Sequence, residues 1–157
     1  HEAKDLIERF NRSDRFEFIP ARPGAKSAVW SLHDAGHKIS VLTSCGTTTR
    51  ITEGRWRNLY REFARDSAGP PWTPSTVTMI PLGASKERSL YEMCDRYHPS
   101  NLVFVEDNLK HAMTGAALGI TSFCLRRSHN RALESKGEGV GVVHWVDDIK
   151  DILGVYA

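Results

Sequence analysis

Long apolar runs are missing from this chain. None of its segments approaches the ~20 consecutive apolar residues that a bilayer-crossing helix needs, and the polar start HEAKDLIERF lacks the apolar centre of a secretory signal. No membrane association is expected. Cysteine is also scarce: Cys45, Cys94 and Cys124 are widely spaced and form no CxxC pair, which argues against a disulfide framework or a structural zinc site and for a reducing, cytoplasmic setting. Charge of one sign is not in excess. With 21 basic and 19 acidic residues the net charge is only +2, too little to imply nucleic acid on its own. No internal repeat, low-complexity tract or domain linker is evident.

At 157 residues the chain is long enough for one domain with a real core, and a single domain over 1–157 is expected, with 1–20 as the remnant of a cap or linker. Its most informative stretch is 101–126, NLVFVEDNLKHAMTGAALGITSFCLR. Leu102 to Val105 form a short continuous apolar run that suits a strand buried on both faces, and it stops at Glu106 and Asp107. Leu109, Ala112, Met113, Ala116 and Ala117 then recur at helical spacing, Gly119 closes the helix, and 120–125 reads as a second buried strand. Ligands of open parallel sheets bind outside the carboxyl ends of strands, so the acidic pair stands where a cation or polar substrate is met.

The rest of the chain alternates in the same way. A weak helical stripe (Leu6, Ile7, Phe10) opens it, and a helix marked by Ala25, Ala28, Val29, Leu32 and Ala35 lies between Pro23 and Gly36. A strand over 39–42 ends at Thr43 and Ser44. An amphipathic helix over 50–65 carries Trp56, Leu59, Tyr60 and Phe63 on one face and arginines from Arg50 to Arg65 around the rest. A β-branched strand follows over 76–80, then a helix capped by Ser85 with Lys86 in its first turn. After 126 a polar, glycine-bearing connection leads to a last strand over 142–146 and a short helix. This order predicts a three-layer α/β/α sandwich on a mainly parallel, Rossmann-like sheet, since parallel crossovers need helices.

Polar residues gather where two strands end: Thr43 and Ser44 at one, Glu106 and Asp107 at the other, with Lys86 opening a helix between them in sequence. Hydroxyls, an ammonium and carboxylates on one sheet edge can hydrogen-bond a phosphoryl group, neutralise it and hold a bridging Mg²⁺. Ordinary roles compete with this. Asp107 can cap the following helix, Thr43 and Ser44 can be turn residues, and Lys86 can be solvated. Cys45 with Arg50 invites a cysteine-phosphatase loop, but the spacing is one residue short; His33 and His37 straddle a helix end without a third ligand.

In this order and spacing the motifs RPGA, VLTS, SKERSLYEMC and VFVEDNLKHAMTGAALGI resemble those of the haloacid dehalogenase-like (HAD) phosphohydrolase superfamily, over roughly residues 20–126. The resemblance implies that Thr43, with Ser44, binds the transferred phosphoryl group, that Lys86 stabilises its charge, and that Asp107, with Glu106, helps hold Mg²⁺. His111 stands where family members often have Asp or Asn. The family's first motif, an Asp-x-Asp at the end of a central strand, is absent before Pro20, and with it the nucleophile of the aspartyl-phosphate route. That strand belongs beside 39–43 and 102–106, whose edges it would pair, and an upstream origin for it is expected because the chain opens on His1. The implied function is a phosphatase domain acting on a small phosphomonoester with Mg²⁺. The alternative is a non-catalytic HAD-like domain serving as a binding or structural subunit. A nucleic acid or protein partner could be met by the arginines of 50–65.

Overall fold

Every strand pairing in the computed structural model, which describes residues 2–156, is parallel, as the alternation of strands with helices requires. The chain divides into two compact units, residues 1–84 and 85–157. Each is taken by itself.

In the first unit, α1 (Glu2–Asn11) leads through a 3₁₀ turn at Asp14–Phe18 to α2 (Ala25–Asp34), β1 (Val41–Ser44), α3 (Thr49–Phe63) and β2 (Val77–Ile80). β1 pairs with β2 in the register Val41 to Val77 and Ser44 to Ile80. The strand thus starts later than the apolar run beginning at Ile39 and takes in Thr43 and Ser44. Its partner sets this limit: the 3₁₀ turn Pro74–Thr76 directly precedes Val77, and a proline-bearing turn cannot continue the ladder. Phe16, Cys45 and Ile51 form the core, with Ile19 and Met79 packed on it. α2 is fastened to the end of α3 by Trp30, whose Nε1 donates to Phe63 O (2.7 Å) and whose ring lies 3.8 Å beneath the Arg65 guanidinium. The opening stripe is helical, as its spacing predicts, yet Leu6, Ile7 and Phe10 are exposed.

In the second unit, α4 (Glu87–Arg96), β3 (Val103–Glu106), α5 (Leu109–Ala117), β4 (Thr121–Leu125), α6 (Arg131–Ser135), β5 (His144–Val146) and α7 (Lys150–Tyr156) form a three-stranded sheet in the order β3-β4-β5. The expected strand–helix–strand unit over 101–126 is β3-α5-β4. Its core is Leu109, Ala112, Cys124 and Val143, joined by Ala116, Leu133 and Trp145. Gly119, at φ 82°, turns the chain out of α5 in the left-handed region that costs a side chain strain.

Gly115 lets α5 approach the sheet closely. A Cβ there would stand 2.7 Å from Ser122 Oγ and 2.8 Å from the Phe104 ring. Ser122 is 1% exposed and has nowhere to retreat. Gly115→Ala is expected to cost about 1–3 kcal/mol despite the better helix propensity of alanine, measurable as a lower urea midpoint with unchanged slope.

Among the described residues, β1 has a strand partner on one edge and β3 has one on one edge. These are the strands whose other edges the sequence leaves waiting for a partner.

Candidate functional site

β3 ends by turning Glu106 inward. Its side chain is 9% exposed and meets that of Lys86, which is equally enclosed at the start of α4. The cap falls one residue later than the expected Ser85: Lys86 is the N-cap of α4 and makes no side-chain cap bond, while the Ser85 hydroxyl accepts from Glu87 N (3.2 Å). Lys86 Nζ donates to Glu106 Oε2 and stands 5.8 Å from the Phe104 ring centre. The lysine is therefore not the solvated surface residue that lysines usually are.

Glu106 Oε1 accepts from two backbone donors, Asp107 N (3.0 Å) and Asn108 N (3.2 Å). Burial opposes its ionisation, but the Lys86 charge and these hydrogen bonds outweigh burial and hold its pKa below the usual glutamate value. Both oxygens thus accept hydrogen bonds, and what Glu106 offers is an anchor for the lysine.

Asp107 is in the opposite condition. Burial first, then the hydrogen bond and charge of Glu106, push its carboxyl above the usual aspartate value. Helix capping does not use it, because the cap of α5 is Asn108, whose side chain accepts from His111 N (3.4 Å). Burial lowers the pKa of His111, which favours a neutral imidazole within reach of the Glu106 and Lys86 charges.

One supporting residue escaped sequence reasoning. Asn130 is 1% exposed and donates to Asp107 O (2.6 Å) and Leu125 O (2.8 Å) while accepting from Arg127 N (2.8 Å). It ties the loop after β3 to the loop after β4, and His129 Nε2 lies 3.1 Å from the same Asp107 carbonyl. The segment read as a polar connection with no partner marked in it, and the contact spans 23 positions.

Thr43 and Ser44 lie in the first unit, at the carboxyl end of β1. The Ser44 hydroxyl donates to Pro81 O (2.8 Å) and accepts from Gly83 N (3.0 Å), so it fastens the loop after β2. Thr43 hydrogen-bonds the Cys45 thiol, whose pKa is raised by burial. Arg50 turns away to Arg12 O and Asp14 (2.5 Å each), so the pairing behind a cysteine-phosphatase loop does not form.

Lys86, Glu106 and Asp107 are brought together in the second unit. Among the described residues no group of three or more His, Cys, Asp or Glu converges as a metal site. Glu106 already holds Lys86 on one oxygen and two backbone N–H groups on the other, which leaves about one lone pair for a metal. Asp107 does fit, but as a single carboxylate of the kind that shares Mg²⁺ with waters and substrate phosphate. No helix among the described residues is long and apolar enough to cross a membrane.

No family model matches the sequence. The fold is similar to a crystal structure of a dehalogenase with an intermediate complex, with a TM-score of 0.60 at 16% identity over 88% of this chain and 57% of that one. The chain thus spans just over half the length of the solved structure. At that identity the likeness concerns the fold alone: the chain shares with that dehalogenase an α/β fold built on parallel, Rossmann-like strand pairing.

Proposed function

We propose that this chain carries the phosphate-side half of a HAD-like phosphohydrolase site that acts on a small phosphomonoester. The observation that supports it most is a buried lysine held by a buried glutamate at a strand's carboxyl end, beside an Asp107 carboxyl that burial and Glu106 disfavour as an anion more than His129 and Arg127 favour it. A lysine so placed is already desolvated and aimed, and it stabilises charge developing on a transferring phosphoryl group more than a solvated lysine can. Glu106 keeps it oriented and ionised. Within the first unit, Ser44 holds the loop after β2 in place. Asp107 would hold Mg²⁺, which when bound supplies Lewis-acid neutralisation of the phosphate. No Asp-x-Asp occurs in the sequence, so no residue here is assigned as nucleophile.

A second reading, a HAD-like domain that binds a partner without catalysis, draws support from that same missing Asp-x-Asp and from the lack of a three-ligand metal group among the described residues. Because no nucleophile is assigned within these 157 residues, hydrolysis of a chromogenic phosphomonoester with Mg²⁺ by the full-length protein, beside its Asp107→Ala variant, tests the two. The phosphatase reading expects Mg²⁺-dependent turnover that falls roughly tenfold or more in the variant. Equal activity in both proteins removes Asp107 from the site; no turnover in either favours the binding domain.

A further inference from the structure

Five arginines lie on α3 and just beyond it, and four have a carboxylate: Arg50 with Asp14 (2.5 Å), Arg57 with Glu17 (2.5 Å), Arg61 with Glu62 (3.0 Å) and Arg65 with Asp34 (2.8 Å). Arg55 has none among the described residues. Its Nη1 donates to Asn58 Oδ1 (2.7 Å), its Nε is buried without any partner, and the Phe16 ring centre lies 6.0 Å from its guanidinium carbon. The Asn58 that holds it is 3% exposed and is itself fixed by donating to Glu17 O (3.1 Å) and Ile19 O (2.6 Å). Arg55 is therefore oriented by a rigid buried amide while its charge is left uncompensated.

Guanidinium does not escape by losing its proton, and a desolvated cation without an anion is among the costlier things a fold can hold. Burial does lower the Arg55 pKa. The nearby Cys45 cannot serve as the anion, because burial raises its pKa and keeps the thiol neutral. Adjacent carboxylates are spent on other arginines.

We propose that Arg55 is the anchor of an anion site in the first unit, taking the oxyanion group of a small ligand, phosphate or carboxylate, on the outer Nη1–Nη2 end of the guanidinium, since Nε is closed off. A planar fork of N–H donors suits two oxygens of one group at once. The inference stands apart from the phosphatase reading, because it uses neither Lys86 nor Asp107, and its readouts need no turnover.

Two measurements on the full chain test it. Inorganic phosphate and, separately, acetate are titrated at millimolar concentration while the Arg55 Nε–H resonance, assigned with Arg55→Met, is followed by ¹H–¹⁵N NMR. A saturable shift with phosphate alone assigns a phosphate ligand, and one with acetate alone a carboxylate. No shift with either overturns the proposal. In anion-free buffer Arg55→Met, which keeps the bulk and removes the charge, is expected to melt higher by about 2 °C or more and to lose the anion-induced rise of the wild type. A lower melting temperature, or a rise that survives in the variant, shows a merely structural arginine.

Discussion

Glu106→Ala is expected to lose about 3–5 kcal/mol of folding stability, the usual cost of removing one partner from a buried ion pair. The loss has two parts. Lys86 is left as a buried ammonium facing an aromatic ring, and the backbone N–H groups of Asp107 and Asn108 lose the oxygen that accepts from them. Urea unfolding at neutral pH measures it, and its pH dependence identifies the cause. Because the folded pKa of Glu106 is lowered, its contribution is fully present above the ordinary glutamate pKa of about 4.3 and disappears as pH falls through the folded value. The gap between wild type and variant therefore closes in acid. Asp107 runs the other way: with a raised folded pKa, its ionised form costs stability at neutral pH, and that cost is relieved as pH falls through the raised value. A gap that stays constant down to strong acid would show that the glutamate's charge is not what is lost.

Lys86→Met is expected to reverse the balance between stability and activity. On the proposed reading it lowers kcat by about 10²–10³, the scale of losing one preorganised charge-stabilising group. Its stability cost should be smaller than that of Glu106→Ala, because two backbone donors still serve Glu106 Oε1 and methionine fills much of the lysine's space. Without the ammonium, burial dominates Glu106 and its pKa rises above the unfolded value. Glu106 then adds stability in the variant as pH falls from neutral through that raised pKa, a gain that Glu106 does not make in the wild type. Urea midpoints at pH 7 and pH 5 measure this sign change, and phosphatase kinetics measure the rest. Greater destabilisation in Lys86→Met than in Glu106→Ala would contradict the asymmetry.

The parts of this molecule that the sequence discloses are those whose cause is local. β3-α5-β4 announces itself through an apolar run, helical spacing and a closing glycine, all within 26 residues of one another. The alternation along the chain likewise implies the parallel pairing. Boundaries suffer when the limit lies elsewhere, as when the turn before Val77 decides where β1 starts. Site residues follow the same rule. Lys86 can be placed at a helix start from its neighbours, but its burial depends on a glutamate 20 positions away. The capping role open to Asp107 falls to Asn108, a choice that nearly equivalent neighbouring residues leave undecided in sequence. Arg55 looks like any other arginine of an amphipathic helix until the carboxylates are paired off one by one.

Among the described residues β1 and β3 each keep one edge without a strand partner, and this bears on how the protein behaves in a crowded solution. An edge is a row of backbone donors and acceptors, and natural proteins usually blunt it with lysine, proline or a bulge. Neither VLTS nor VFVE contains lysine or proline. In β3 the alternation even leaves Val103 41% exposed. Such a strand is a template for any extended segment that passes, and it does not discriminate between a strand of the same chain and one of a neighbour. Keeping those edges covered is thus a matter of colloidal stability as much as of architecture.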